Sequence, residues 1–376
     1  MSERYTKRIE TIVIGGGQAG LAAGYQLSRR GLPFVIVDAN PRIGDAWRNR
    51  WDSLRLFTPA RYDSLPGLTF PARGDSFPTK DEMADYLEFY ADHFHLPVET
   101  GVRVNRLSKQ GERFVIEARS LRYEAQNVIV AMANYQVPRI PPYAKDLDPR
   151  VLQIHAHTYR TPSQLQRGSV LVIGLGNSGA DIAIETAASF PTWLAGRESG
   201  SIPYRIDSVM GRYVFVRVIR FVGHHILSLS NPIGQKQRPK FLHRAAPLIR
   251  IKPHDLTRAG IQRVPRVVGT RAGIPLLEDG RTLDVANVIW CTGYEPGFSW
   301  VDLPVFDVDG DPRHHRGVST VVPGLYFLGL QFLYSMTSAT VNGVGRDAEY
   351  IAGAIASRAR LTDKGAQQQA HATTAA

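Results

Sequence analysis

A strand, glycine turn and helix pattern that occurs twice is the strongest constraint on this chain. An apolar strand at residues 11–14 leads into Gly15-Gly16-Gly17-Gln18-Ala19-Gly20, and a second at residues 170–173 leads into Gly174-Leu175-Gly176-Asn177-Ser178-Gly179. In a Gly-x-Gly-x-x-Gly turn the first glycine permits the tight turn, the second lets backbone approach a pyrophosphate, and the third lets helix and strand pack closely. The helix that follows attracts phosphate to its amino end. The pattern therefore predicts two dinucleotide-binding units, with first glycines 159 residues apart.

Other segments support an internal duplication. The apolar strands at residues 127–130 and 287–290 repeat at an offset of 160 residues. A further strand at residues 325–328 precedes a glycine-rich turn and a helix that begins near residues 343–346, and we interpret it as completing the first unit. The predicted fold class is α/β, with two Rossmann-like dinucleotide-binding domains of the three-layer ββα type, the second inserted into the first.

The residue at the end of the next strand indicates which dinucleotide each unit binds. Asp38 lies 23 residues after Gly15, and a carboxylate there accepts hydrogen bonds from free ribose hydroxyls, as in FAD or NAD. Arg197 lies 23 residues after Gly174, and an arginine suits the 2′-phosphate of NADPH. The alternatives are that Asp38 only caps a turn and that Arg197 is a solvated surface charge.

These assignments divide the chain into four parts. Residues 1–165 are predicted to form the first part of an FAD-binding domain, residues 166–295 an NADPH-binding domain, and residues 296–360 a return segment that completes the FAD domain. Residues 361–376 are rich in Ala, Thr and Gln and lack core periodicity, so they are predicted to be a disordered tail.

Composition excludes several classes of protein. Cys291 is the single cysteine, which excludes the Cys-x-x-Cys pair of thiol-disulfide oxidoreductases. The formal net charge is +11, but the basic residues are scattered, so anionic cofactors are favoured over nucleic acid. The pairs His224-His225 and His314-His315 lack further ligands at metal-binding spacing, so no metal site is expected. With neither an apolar run of about 18 residues nor a signal-like opening, a cytoplasmic location is expected.

The motifs together resemble a known family. They are Gly44-Asp45-Ala46-Trp47-Arg48, the run at residues 54–59, the segment at residues 135–141, the second loop at residues 176–183, Cys291-Thr292-Gly293-Tyr294 and residues 324–329. At these positions the chain resembles the flavin-containing monooxygenase-like flavoproteins, the class B flavoprotein monooxygenases, which include plant indole-3-pyruvate monooxygenases and bacterial FAD/NAD(P)-dependent oxidoreductases. The resemblance covers almost the whole chain.

The resemblance implies a two-step activity. NADPH would pass hydride to FAD, and the reduced flavin would add O2 to form a C4a-hydroperoxyflavin that oxygenates a small organic substrate. The protein would orient the cofactors and exclude water.

Motifs and resemblance together give a set of candidate cofactor-binding residues. They are Gly15, Gly17, Gln18, Ala19, Gly20, Asp38, Trp47, Arg48, Gly174, Gly176, Asn177, Ser178, Gly179, Arg197, Gly329 and Gln331. For Trp47 and Arg48 the alternative is an exposed aromatic and a solvated arginine.

Two departures from the family pattern bear on catalysis, for which no residue is assigned. Phe57 stands where the family often has an Asn that helps to hold the oxygenated intermediate, and Phe cannot make that hydrogen bond. Asn134 ends the run Ala131-Met132-Ala133-Asn134, where Ala-Thr-Gly is usual. Both are candidate flavin-proximal positions.

Several readings therefore stay open. The main prediction is an FAD- and NADPH-dependent monooxygenase. The alternatives are an NADPH-dependent flavin reductase or oxidase that passes electrons to a quinone, a metal ion or another acceptor, and a slowly turning redox sensor. The basic and apolar segment at residues 212–220 is either a lid over the active site or a surface for peripheral membrane contact. Substrate identity and oligomeric state have no signal in the sequence.

Overall fold

The computed structural model describes residues 5–119, 121–198, 200–243 and 246–374, without the side chains of residues 5, 243 and 362–374. These residues contain eighteen strands and eight α-helices. The strands are β1 (Tyr5–Ile14), β2 (Phe34–Val37), β3 (Val98–Glu99), β4 (Arg106–Gln110), β5 (Arg113–Ala118), β6 (Leu121–Val130), β7 (Val137–Pro138), β8 (Leu152–His155), β9 (Val170–Ile173), β10 (Thr192–Ala195), β11 (Gln262–Val264), β12 (Val267–Arg271), β13 (Ile274–Leu277), β14 (Asn287–Trp290), β15 (Tyr294–Glu295), β16 (His314–His315), β17 (Val318–Ser319) and β18 (Leu325–Phe327). The helices are α1 (Gln18–Ser28), α2 (Asp45–Arg48), α3 (Lys80–His93), α4 (Asn177–Ala187), α5 (Val216–Phe221), α6 (Pro232–His243), α7 (Pro253–Arg258) and α8 (Val341–Thr374).

The first sheet has β1 at its centre. Its parallel core runs in the order β18-β6-β1-β2-β3, β16 and β17 extend it beyond β18, and β5 pairs antiparallel with both β4 and β6. Ile12 and Val13 of β1 are completely buried, as expected for a central parallel strand that is covered on both faces. Helix α1, which follows the first glycine turn, packs against α8.

The second sheet is parallel throughout. In the described part of the chain it has five strands in the order β11-β10-β9-β14-β8. Its central strand β9 is buried along its whole length. The predicted fold class, two dinucleotide-binding domains with the second inserted into the first, is confirmed, because β18 returns to pair with β6 of the first sheet.

The two chain segments that lead into and out of the second domain lie side by side. Strand β7 on the way in pairs antiparallel with β15 on the way out, with Tyr294 opposite Pro138. His155 braces this crossing, since its Nε2 lies 3.1 Å from the carbonyl oxygen of Gly293. Strand β8 pairs with β14 and so belongs to the second sheet, although it precedes residue 166, where the second domain is predicted to begin.

The last helix extends into the segment predicted to be a tail. Helix α8 is assigned as far as Thr374, and the Ala and Gln residues of this segment have high helix propensity. The predicted disorder of residues 361–376 stays a prediction. Across the described ranges, no helix combines the length and the apolarity needed to cross a membrane.

Ala133 is one of six described non-glycine residues with a positive φ, a conformation that favours glycine. Ala133 has φ +54°, just after β6, where the family pattern has glycine. Its counterpart after β14 is Gly293, with φ +82°. The departure at residues 131–134 therefore keeps the backbone shape of the family at a cost in strain of about 1–2 kcal/mol.

We expect Ala133→Gly to stabilise the protein by about 0.5–1 kcal/mol, since relief of the strain exceeds the entropy that glycine adds to the unfolded chain. The mirror variant Gly293→Ala is the control: its added Cβ would meet no described atom within 4 Å, so it tests the backbone conformation without a clash and should destabilise. Comparing the melting of the two variants with the parent measures both effects. A drop in stability for Ala133→Gly would contradict this account.

Candidate functional site

The first glycine turn joins the ends of two parallel strands to a helix. The Gly15 N–H donates to the carbonyl of Val37 over 2.8 Å, which ties the end of β1 to the end of β2. A Cβ at Gly20 would lie 1.8 Å from the Gly15 carbonyl oxygen, so only glycine lets α1 pack this closely on the turn. A Cβ at Gly17, by contrast, would meet no described atom within 4 Å. The turn therefore has no room for a side chain at Gly20, where α1 packs on it, and has free space at Gly17.

The second turn repeats this geometry. The Gly174 N–H donates to the carbonyl of Ala195 over 2.8 Å. A Cβ at Gly179 would lie 1.8 Å from the Gly174 oxygen, while one at Gly176 would again meet nothing among the described atoms within 4 Å. Gly174 itself has φ +118° and packs on the carbonyl of Cys291, whose thiol has its pKa raised by burial.

Both helices present free amino ends. Gly17 and Gly176 are the cap residues, and in the described structure neither helix has a side-chain cap or an acidic residue in its first turn. The leading N–H groups are therefore available to an external anion. The open space at Gly17 and Gly176 and these donors fit a dinucleotide pyrophosphate at each turn.

Asp38 is fixed beside the first turn. One carboxylate oxygen accepts the Gly16 N–H at 2.5 Å, and the other accepts the backbone and side-chain N–H groups of Asn40 at 2.7 and 2.9 Å. The carboxylate thus caps the local turn, which was the alternative interpretation. It also stands at the end of β2 next to the open glycine turn, as a ribose-binding carboxylate must.

Arg197 lies beside the second turn. It follows Gly196, whose added Cβ would be 2.9 Å from the backbone nitrogen of Leu175, so the chain passes directly over that turn before reaching the arginine. The Arg197 side chain is exposed.

Several predicted residues meet around the start of α1. The Trp47 Nε1 lies 3.4 Å from the Gln18 Oε1, and a Cβ at Gly329 would be 3.0 Å from that of Ala19. The Gln331 amide donates to the Tyr135 hydroxyl over 3.4 Å. The return segment and the end of β6 thus reach the first turn.

Arg48 makes several contacts with α2 and α3. Its guanidinium donates to the Ile43 carbonyl at 2.6 Å and pairs with Asp45, Asp85 and Glu88 at 3.3, 2.8 and 2.9 Å. It bridges α2 to α3, so it shapes the segment around Trp47. The prediction that Arg48 also contacts the cofactor stays a prediction.

The second loop uses two of its polar side chains internally. Asn177 accepts the Ile249 N–H at 2.8 Å and donates to the Pro247 carbonyl at 3.1 Å. Buried Asp181 pairs with Arg250 at 2.8 Å, and its pKa is raised by burial although the arginine opposes the shift. Ser178 is half-buried in the first turn of α4. These contacts hold residues 247–250 against helix α4.

The two candidate flavin-proximal positions have different surroundings. Asn134 follows β6, and its amide oxygen is buried without a hydrogen-bond partner among the described residues. A Cβ at Gly15 would lie 2.9 Å from the Ala131 carbonyl, so the residues leading to Asn134 flank the first turn. Phe57 is half-buried and lies between Leu56, whose N–H donates to the Pro78 carbonyl at 2.8 Å, and Thr58.

Asp63, six residues after Phe57, has a carboxyl group with a raised pKa. Asp63 was not identified from the sequence. It is 1% exposed, accepts a short hydrogen bond from Thr58, and its second oxygen lacks a partner in the described structure. Burial raises its pKa to about 7, while the Thr58 hydroxyl and Arg220 oppose the shift. Arg220 belongs to α5 and lies 4.7 Å over the Tyr62 ring. No motif in the sequence brings residues 57–63 and α5 together.

A family model described as pyridine nucleotide-disulphide oxidoreductase matches residues 12–190. A CzcO-like oxidoreductase of Geobacillus kaustophilus is 41% identical over 355 residues, which cover 91% of this chain and 97% of that protein. A probable indole-3-pyruvate monooxygenase of Arabidopsis thaliana, YUCCA3, is 27% identical over 92% of this chain and 86% of its own length. Among solved structures, a double mutant of the flavin monooxygenase from Stenotrophomonas maltophilia is 30% identical with a TM-score of 0.78, covering 94% of this chain and 99% of that one.

The paired glycine turns on two sheets with parallel cores, together with these relatives, identify a flavin-dependent oxidoreductase. The chain belongs to the flavin-containing monooxygenase-like family, so the predicted resemblance is confirmed. The description of the family model names disulphide oxidoreductases, but this chain has a single cysteine and therefore lacks the cysteine pair used in that chemistry.

The buried carboxyl of Asp63 predicts a pH dependence of stability. Its pKa of about 7 in the folded protein lies above the value of about 3.9 in an unfolded chain, so its contribution is fully present below pH 4 and is lost as the pH rises through 7. Between about pH 5 and pH 8 the parent should lose stability relative to Asp63→Asn, by on the order of 2 kcal/mol. Melting both proteins across this range measures the effect, and parallel pH profiles would contradict it.

Proposed function

We propose that this enzyme binds FAD at the first glycine turn and NADPH at the second, and that it uses O2 to monooxygenate a small organic substrate. The observation that carries the proposal is the pair of equally built, open turns at Gly17 and Gly176. A carboxylate beside the first turn and an arginine beside the second give the two sites different nucleotide preferences.

The residues of the chain then have distinct roles. The backbone N–H groups at the start of α1 and α4 bind the two pyrophosphates, Asp38 accepts a ribose hydroxyl of FAD, and Arg197 binds the 2′-phosphate of NADPH. When bound, the flavin supplies hydride acceptance and oxygen activation. The protein places the two cofactors so that hydride can pass between them and keeps water away from the reacting atoms.

Trp47 and Gly329 reach the start of α1, and Gln331 follows Gly329 by two residues, so we propose that these three line the flavin. Arg48 fixes the Trp47 segment through α2 and α3. Asn134 adds a buried amide oxygen that is free to accept a hydrogen bond from a bound group. A hydrogen-bonding group at this place supports oxygenation, because polar contacts in a water-poor site are strong.

A second candidate function is an NADPH-dependent reductase or oxidase without oxygenation. The observation that favours it is Phe57, which has no side-chain donor where the family often has Asn. In that case oxygen would leave chiefly as hydrogen peroxide, or electrons would pass to another acceptor. Disulfide reduction through a cysteine pair of this chain is ruled out by its single cysteine.

The two turns can be tested by matched substitutions. Gly17 and Gly176 both have extended backbones that valine can adopt, and both face open space. We expect Gly17→Val to fold but to be purified without flavin. Gly176→Val should be yellow and reducible by dithionite, yet its reduction by NADPH should be severely impaired. Flavin content and anaerobic reduction distinguish the outcomes. Full flavin in Gly17→Val would refute the FAD assignment.

Arg197→Ala should weaken NADPH selectively. Losing a charge-assisted contact to the 2′-phosphate costs about 1.5–3 kcal/mol, which is roughly a tenfold to hundredfold loss in NADPH over NADH preference. The preference is measured as the ratio of kcat/KM for the two coenzymes. Arg271→Ala, at an exposed arginine of β12 in the same domain, is the control and should keep the parental preference. Equal weakening of NADPH and NADH in Arg197→Ala would assign the phosphate to another residue.

Phe57 decides between the two candidate functions. Without a donor there, the parent should release a large share of the consumed oxygen as hydrogen peroxide, and Phe57→Asn should lower that share. Phe57→Leu keeps an apolar side chain and should release the same share of the consumed oxygen as hydrogen peroxide as the parent does. NADPH oxidation, oxygen uptake and peroxide release are measured on the same samples, with melting as a check of folding. Little leakage in the parent would contradict the role assigned to Phe57.

A further inference from the structure

A helical segment in the second half of the chain leaves an apolar surface uncovered. Residues 209–226 form this exposed helical segment, in which π-helical turns at Gly211–Phe215 and Val222–Ile226 flank α5. Of the eighteen large apolar side chains that stand exposed in the described structure, eight lie here, and α6 adds two more. The eight are Val209, Met210, Tyr213, Val214, Phe215, Val218, Ile219 and Phe221. Such clustering on one segment marks an interaction surface, whereas singly scattered apolar residues do not.

Two glycines and one valine form the face of the segment that packs on the rest of the protein. A Cβ at Gly211 would lie 2.0 Å from the Arg205 carbonyl oxygen, and one at Gly223 would lie 2.7 Å from the Met336 methyl carbon. Val216, between them, is buried. The segment therefore rests on the protein along these three positions and turns its large apolar residues outward. Phe221 is 60% exposed and Val209 is 75% exposed.

The charge of this region is of one sign. Between Asp207 and Asp255 the sequence has nine Lys and Arg residues and no Asp or Glu. Arg212 and Arg220 turn inward, toward the Asp75 carbonyl at 3.3 Å and the Tyr62 ring at 4.7 Å. Lys236 and Lys240 of α6 are exposed, and the described part of the chain provides no ion pair for either.

We propose that the exposed helical segment docks on an anionic membrane surface, with its apolar side chains at the headgroup boundary and the basic residues of α6 near the lipid charges. Apolar and basic residues together, with Tyr and Phe on the outward face, are what an interfacial helix presents. The charge complementarity selects anionic lipid as the occupant, because a second copy of this chain would bring the same positive region against itself.

Docking there would bring residues 57–63 close to the membrane. Arg217 donates to the Tyr62 hydroxyl over 3.3 Å, so the segment that follows Phe57 lies under the docked helix. A lipophilic molecule in the membrane would then lie near this end of the enzyme. The surface itself is independent of the reaction assigned to the flavin.

Vesicle sedimentation of the purified holoenzyme tests the proposal. We expect the enzyme to sediment with vesicles of phosphatidylcholine containing about 30 mol% phosphatidylserine, and at least about tenfold less with phosphatidylcholine vesicles or in high salt. Phe221→Glu should weaken binding to the anionic vesicles roughly tenfold or more. Phe89→Glu is the matched control, because Phe89 lies on α3 and is 52% exposed. It should bind as the parent does. Lys236→Glu combined with Lys240→Glu, on an exposed surface, should weaken binding without affecting folding.

Flavin content, melting temperature and NADPH oxidation without vesicles should be unchanged in all three variants. Failure of the parent to sediment with anionic vesicles would overturn the proposal, as would equal binding by Phe221→Glu. Light scattering adds a further outcome: a parent dimer that Phe221→Glu converts to a monomer would assign the surface to a second copy instead.

Discussion

The close contact between helix and turn at Gly20 is the constraint on which the first site depends. With only 1.8 Å between an added Cβ and the Gly15 oxygen, any larger side chain would push α1 away from the end of β1. The free N–H groups of the helix would then no longer point at the space in front of Gly17. Because Gly179 repeats the contact with Gly174 at the same distance, one packing rule positions both cofactor sites.

The second dependence is on how the chain crosses between the two domains. Strands β7 and β15 are paired, so the inserted domain is held by two adjacent segments, with His155 hydrogen-bonded to the Gly293 carbonyl. Trp51 of the first half of the chain packs into the hydrophobic core of the second domain. Together these contacts restrict how the second glycine turn is presented to the first, which hydride transfer requires.

The sequence predicted the parts of this enzyme that are built by local rules. Glycines in a turn and apolar parallel strands can be recognised without the fold, so both glycine turns could be located from the sequence, while the roles of Asp38 and Arg197 stay predictions. Asp63 could not be named, because its properties come from burial and from Arg220 on a distant helix. The carboxylate partners of Arg48 on α3 could not be named either, because they are 37 and 40 residues away. The place of β8 in the second sheet depends on its pairing with β14, a long-range contact that leaves no local pattern.

The central claim is that hydride passes from NADPH in the inserted domain to FAD in the first domain of one chain. An anaerobic titration of the purified holoenzyme with NADPH, followed by flavin absorbance, tests it most directly. The account predicts that about one equivalent of NADPH bleaches the bound flavin and that admitting oxygen restores the absorbance. A flavin that stays oxidised in excess NADPH, while dithionite bleaches it, would contradict the account.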